Sequence, residues 1–265
     1  MSENSSPVLV QQDGAVAIVT MNRPDRHNSL NIDIKVALRE ALEAVAADDT
    51  VRAVILTGSG KSFCVGQDLG EHAAALEHDA ATALNTVVEH YNPIVLALTT
   101  MPKPVVAAVN GTCVGAGLGF ALACDLRVLS SSATLGTAFS AIGLTCDSGL
   151  SASLVRAVGE ARAKEMVLLG RPFSAEDAVR WGITADVVEA ADVLRAATDL
   201  AQKLADGPTA AFAASKRVIN EASGLTFAES LDLEGREQIA LGPTDDHQGA
   251  VAAFLAKEKP TFIGR

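Results

Sequence analysis

Residues 103–147 read KPVVAAVNGTCVGAGLGFALACDLRVLSSSATLGTAFSAIGLTCD, and between the two end residues only Asp125 and Arg127 carry charge at neutral pH. The chain has 265 residues and a net charge of −11, so nearly all of its ionisable side chains lie elsewhere. A run this free of charge is either a membrane span or the buried centre of a fold. Residues 104–124 have the roughly 20 positions a spanning helix needs. Asn110, Thr112 and the glycines at 111, 115, 117 and 119 dilute that run. No second long apolar segment and no flanking basic loop accompany it. The run therefore reads as a buried strand over 105–109, a glycine loop over 110–115 and a helix over 116–124.

Working outward, apolar residues make up 49% of the chain but aromatics only 4%, so the core must be built from closely packed Ala, Val and Leu. The acidic balance, with one Trp and one Tyr, excludes a nucleic-acid surface, which needs a basic stripe and stacking platforms. Cys64, Cys113, Cys124 and Cys146 have no paired metal-ligand spacing and read as free thiols in a reducing compartment. The opening MSENSSP has an acid and no apolar stretch, so it reads as a short tail of a cytoplasmic protein.

Upstream, Asp13-Gly14 signals a hairpin between strands at 8–11 and 15–21. NRPDRHNSL is a surface loop, and Ser29 or Asn31 can cap a helix carrying Ile34, Leu38, Leu42 and Val45. A strand over 51–57 leads into the loop KSFCVGQDLG, and 71–100 reads as helix with Pro93 at a kink or an N-terminal position. Downstream come a strand at 126–130, helices at 148–158 and 161–169 stopped by Gly159 and Gly170, a capping box from Ser174 to Asp177, and a strand at 185–188. Four helices follow, near 190–205, 208–222, 226–240 and 246–257. The pattern is an α/β core over 1–190 and an all-helical region over 191–265 that has no sheet of its own to pack on.

Two glycine-flanked loops, Gly66-Gln67-Asp68 and Gly115-Ala116-Gly117, each follow a buried strand and precede a helix. The first N–H groups of a helix have no partner within it, and its dipole favours negative charge there. Side by side, the loops could aim two N–H donors at one oxygen and stabilise an enolate; ordinary tight turns would carry the same glycines. GAGLG sets its third glycine one residue early for a dinucleotide fingerprint, and no acid lies about 20 residues further on. Asp147 precedes an apolar helix and reads either as its N-cap or as a working carboxylate. His72, His78 and His90 are spaced too widely for a compact metal face, and Tyr91 reads as a helix residue that could line a pocket.

AIVTMNRPDRHNSL, VRAVILTGSGKSFCVGQDL, MPKPVVAAVNGTCVGAGLGFALACD, GRPFSAEDAVRWGITADVV and AVAAFLAKEKPTF together resemble the crotonase (enoyl-CoA hydratase/isomerase) superfamily over nearly the whole chain. The resemblance implies a superhelix of repeated ββα units with a C-terminal helical trimerisation region. It implies an acyl-CoA substrate, with CoA as part of that substrate and no separate cofactor or metal, and a homotrimer or dimer of trimers. The thioester carbonyl would sit between the N–H groups of Gln67 and Ala116. Arg26, Asn28 and Asp68 would neighbour CoA, with Gly66, Leu69 and Gly115 beside the hole and Phe139 and Leu150 around an apolar acyl pocket.

The departures from that pattern redirect the chemistry. The two glutamates of the hydratases fall at Gly119 and Phe139 here, and both are missing. Asp147 matches the aspartate of the isomerase branch, with FCVGQDL, HYNPIV and LDLEGRE resembling ring-epoxide phenylacetyl-CoA isomerases. The expectation is an acyl-CoA isomerase in which Asp147 shuttles a proton. The alternatives are a hydratase, a hydrolase or dehalogenase with Asp147 as nucleophile, and a non-catalytic acyl-CoA-binding protein. Dehalogenases use a tryptophan near position 139, whereas the single Trp here is Trp181.

Overall fold

The computed structural model describes residues 6–265; the reading of a tail falls largely on residues 1–5, outside the described residues. β1 (Val8–Asp13) and β2 (Val16–Met21) pair antiparallel across the Asp13-Gly14 turn. α1 (Ile32–Ala47) is capped by Asn31, whose side chain accepts the Ile34 N–H at 3.2 Å; Ser29 plays no part in that cap. β3 (Ala53–Gly58), β4 (Ser62–Cys64) and α2 (Leu69–Asp79) form one ββα unit, followed by α3 (Asn92–Thr100). β5 (Val105–Val109), β6 (Thr112–Val114) and α4 (Ala116–Ala123) form the next. β7 (Leu126–Ser130), β8 (Thr134–Gly136) and α5 (Leu150–Leu169) form the third. β9 (Phe173–Ser174), α6 (Ala175–Arg180) and β10 (Asp186–Val188) precede α7 (Val193–Ala205), α8 (Thr209–Ala222), α9 (Phe227–Leu241) and α10 (Asp245–Ala256).

Each unit gives its first strand to a six-stranded sheet, β1-β2-β3-β5-β7-β10, parallel except at β1. Its second strand goes to a four-stranded sheet, β4-β6-β8-β9. The α/β superhelix of ββα units is therefore present, but β4, β6 and β8 correct the sequence reading. β4 and β6 fall in stretches read as loops, and no strand was placed at β8. Strands of three residues are too short to show any alternation.

The long strands are apolar throughout because both faces are covered. Val54, Leu56, Val105, Ala107 and Val109 face a core shared with α1, α3, α4 and α5. Ala53, Ile55, Val106 and Ala108 face Val193, Ala197, Ala201 and Ala205 of α7. The C-terminal helices, which have no sheet of their own, thus cover the core through α7, which forms the second layer of the fold. Its alanine ridge, repeated every four residues, carries little side-chain bulk and allows close approach. Gly117 does the same for α4, since a Cβ there would lie 2.3 Å from the Cys64 carbonyl oxygen.

One more departure concerns a helix, and one expected break is present. The helix expected over 71–100 stops at Asp79, turns, and resumes through a π-helical segment at Val87–Tyr91 into α3. Pro93 has no N–H to return to Glu89 and its ring crowds that carbonyl; the turn before it is widened, with the Asn92 N–H bonding to the Val87 carbonyl five residues back. Gly159 (φ 78°, ψ 161°) is non-helical and divides α5 into two helical segments across a kink, where the sequence reading set its stop.

Polar contacts fix the C-terminal region to the core. The buried Lys216 of α8 donates to the Leu98 carbonyl at 2.7 Å and to the Asp125 carboxylate at 2.9 Å. Buried Asp246 of α10 accepts the N–H groups of Ile263 and Gly264 at 2.6 and 2.9 Å, and Arg52 donates to the Phe262 carbonyl at 3.0 Å. On α9 and α10, Phe227, Ile239, Phe254 and Leu255 remain 76–81% exposed. No helix among the described residues is long and apolar enough to cross a membrane.

Candidate active site

The loop after β4 is pinned on both sides of Gln67. Leu30 donates its N–H to the Gly66 carbonyl at 2.8 Å and accepts the Asp68 N–H at 3.2 Å. This leaves the Gln67 N–H out of the pairing. Across from it, the Gly115 N–H bonds to the Gly136 carbonyl at 3.0 Å, so Ala116 opens α4 with its N–H directed away from the helix body. Among the described residues no acceptor engages the N–H of Gln67 or Ala116. The two loops touch: a Cβ on Gly66 would stand 3.4 Å from the Ala116 nitrogen and 3.6 Å from the Gly115 Cα. Gly66 holds φ at +82°, a conformation side-chain-bearing residues rarely adopt.

Asp147 is half-buried and does not cap α5. The N-cap is Gly149, which offers no side chain, and Asp147 contributes only its carbonyl, to the Leu150 N–H at 2.9 Å. Among the described residues its carboxylate receives one hydrogen bond, from the Ser148 hydroxyl at 2.8 Å. Burial raises its pKa above the ordinary aspartate value, and the Ser148 bond opposes that. The cap reading of Asp147 therefore fails, and the carboxylate keeps most of its accepting capacity.

Tyr91, passed over as a helix residue, is buried beneath this loop. Its hydroxyl donates to the Gln67 side-chain oxygen, and its ring meets Phe120 edge-on at 6.1 Å between centroids. Burial first, and the Asp147 charge second, push its pKa far up, so it stays a neutral donor. Helical spacing gave no means of separating this phenol from an ordinary amphipathic-face residue.

The residues expected near CoA divide. Arg26 lies exposed on the turn at Pro24–Arg26. Asn28 is fully buried and bonds the backbone of Arg23, Ser59 and Ser62. Asp68 caps α2 through the N–H groups of Gly70 and Glu71 and pairs with Arg23 at 2.5 Å, a partner the sequence did not single out. That Arg23 bond leads the causes holding the Asp68 pKa down at about 2. Leu69 is exposed at the head of α2, whereas Phe139 and Leu150 are buried in the core. Trp181 stacks on Phe173 and Arg162. His90 is engaged with Thr86, and the three histidines do not converge on a metal. A groove of about 620 Å³ between α8 and the core includes Gly119 and Ser148 but none of Asp147, Gln67 and Ala116.

A family model described as Enoyl-CoA hydratase/isomerase matches residues 11–265. The chain belongs to this family. It is 40% identical over 258 residues to the 1,2-epoxyphenylacetyl-CoA isomerase of Escherichia coli, covering 97% of this chain and 98% of that one. It is also 40% identical over 251 residues to a Rhodobacter capsulatus protein described as a probable enoyl-CoA hydratase, covering 94% and 95%. An enoyl-CoA hydratase/isomerase structure from Mycobacterium abscessus superposes with a TM-score of 0.93 at 46% identity, covering 97% and 100%. Relatives named for isomerase and for hydratase chemistry thus stand equally near.

Within this family member, Gly119 and Phe139 are the positions at which the resemblance places hydratase glutamates. Position 119 is occupied from outside: a Cβ there would come 2.5 Å from the Ser148 Cβ and 2.9 Å from the Ser148 carbonyl oxygen. The loop carrying Asp147 has settled into the space a longer side chain would need.

Proposed function

We propose that this protein is an acyl-CoA isomerase that moves a double bond, or opens an epoxide-bearing ring, through a thioester enolate. The observation that carries the reading is Asp147: a half-buried carboxylate spared from capping, beside a position 119 closed by Ser148. In the proposed reaction the thioester oxygen lies between the N–H groups of Gln67 and Ala116. Asp147 takes a proton from carbon, and the C–H electron pair moves onto that oxygen, where the two donors and the α4 N-terminus stabilise it. The same carboxyl then returns its proton to another carbon of the enolate. One group acts as base and then as acid, so no second carboxylate is needed, and a raised pKa brings the base closer to the working pH.

CoA enters as part of the substrate, with exposed Arg26 available to its anionic portion. The exposed apolar residues of α9 and α10 support a homotrimer or dimer of trimers, and the buried free thiols suit a reducing cytoplasm.

The test is deuterium incorporation from D2O into 3-hexenoyl-CoA. Wild-type protein is expected to exchange and isomerise it, and Asp147→Asn to abolish both. Exchange that survives this substitution overturns the reading, and a covalent aspartyl ester at Asp147 replaces it with nucleophilic substitution of the dehalogenase kind, in which the carboxylate bonds to an acyl-group carbon and expels its leaving group.

A further inference from the structure

Gln67 offers its backbone N–H to the proposed hole, but its side chain has a different partner. The loop holding it has no regular secondary structure between β4 and α2, and Leu30 pins only Gly66 and Asp68. The Gln67 residue itself is held by one side-chain contact, from the Tyr91 hydroxyl to its amide oxygen. Tyr91 is 1% exposed and locked by Phe120 on one side and by the Lys35 ammonium 5.9 Å from its ring centre. It is the last residue of the π-helical segment, and such widened turns are enriched where a helix must present a side chain that regular geometry would point elsewhere.

We propose that Tyr91 is a positioning residue that fixes Gln67 through this hydrogen bond and thereby aims the Gln67 N–H at the thioester oxygen. The inference deepens the isomerase reading and rests on it for the identity of the hole. A rigid anchor on a buried ring can set an irregular loop residue closely, and misplacement of about 1 Å can cost on the order of 100-fold in rate. The phenol need not exchange its proton: far below its pKa, it remains a donor throughout.

The experiment uses acetoacetyl-CoA at neutral pH without divalent cations, where its near-ultraviolet enolate absorbance rises on a protein that stabilises the enolate oxygen. Tyr91→Phe keeps the ring and its packing, and Gln67→Met removes the acceptor from the other side while keeping the backbone donor. Each is expected to lower the bound enolate fraction, and kcat for 3-hexenoyl-CoA, by about 10- to 100-fold. KM and the affinity for CoA alone should stay within about threefold of wild type. The double variant should lose no more than either single one, because both break the same contact. The proposal is overturned if Tyr91→Phe, folded by its melting curve, keeps the wild-type enolate signal, if the two losses multiply, or if affinity for CoA falls in parallel. An enolate signal that depends on Tyr91 in a wild-type protein with no exchange activity would refute the isomerase reading and leave this one standing.

Discussion

Asp147 is a carboxylate kept in a poor solvent for its own charge. Because burial raises its pKa, the base form is lost as pH falls through a value above the ordinary ~4 of an aspartate. The acid limb of kcat/KM is expected there, and Ser148→Ala, which deletes the one opposing hydrogen bond, should move that limb to higher pH. The same shift bears on stability. A carboxyl whose folded pKa exceeds its unfolded one contributes stability below the unfolded value and loses it as pH rises through the folded value. At neutral pH the ionised Asp147 thus weakens the fold, and Asp147→Asn should raise Tm at pH 7 while abolishing exchange; a lowered Tm would contradict this account. Asp147 stood out in the sequence because charge is rare around it, and the two glycine loops because glycine is dense there, whereas the choice of Gln67 and Ala116 as donors came from the family resemblance. It hid Tyr91 and Ser148, since a single phenol or serine acquires its meaning only from what it faces.

At the scale of elements, the contact between α4 and the loop preceding α5 decides which side chains position 119 tolerates. Gly119→Glu, the substitution that would supply a hydratase-type glutamate there, must displace Ser148 and is expected to lose about 1–3 kcal/mol in denaturant unfolding. It should also shift Asp147, so isomerase activity falls and hydration of crotonyl-CoA does not appear; hydratase activity at wild-type stability would show that the loop yields freely. The long strands, the caps at Asn31 and Ser174 and the stops at Gly170 and Gly182 were legible because each leaves a local chemical mark. β4, β6 and β8 were not: three-residue strands are selected by neighbouring chain in the second sheet, not by their own composition.

The whole molecule is tied at its C-terminus by a few polar contacts in addition to its central core. Asp246→Ala leaves the Ile263 and Gly264 N–H groups without their acceptor; both residues reach solvent, so water replaces part of the loss and the cost should be about 1–3 kcal/mol in all. Limited proteolysis should then trim the tail well below the global Tm, and an unchanged digestion pattern would refute the anchoring role. The exposed residues of α9 and α10 lead to a separate prediction: the wild-type protein should elute at trimer mass or a multiple of it, and Ile239→Glu with Phe254→Glu should shift it toward monomer without unfolding it. Which C-terminal helix covers the sheet was not legible, because the alanine ridge of α7 carries a weak hydrophobic signal although it packs closely. The repeated ββα architecture has one further consequence. Gln67 and Ala116 come from successive units, and both offer backbone hydrogens, so no single codon specifies the proposed anion seat. Point mutation can replace the carboxylate at 147 or the residues at 119 and 139 while the repeat goes on reproducing that seat. Such a lineage can change its reaction by drift in a few letters without first losing the machinery that makes any of those reactions possible.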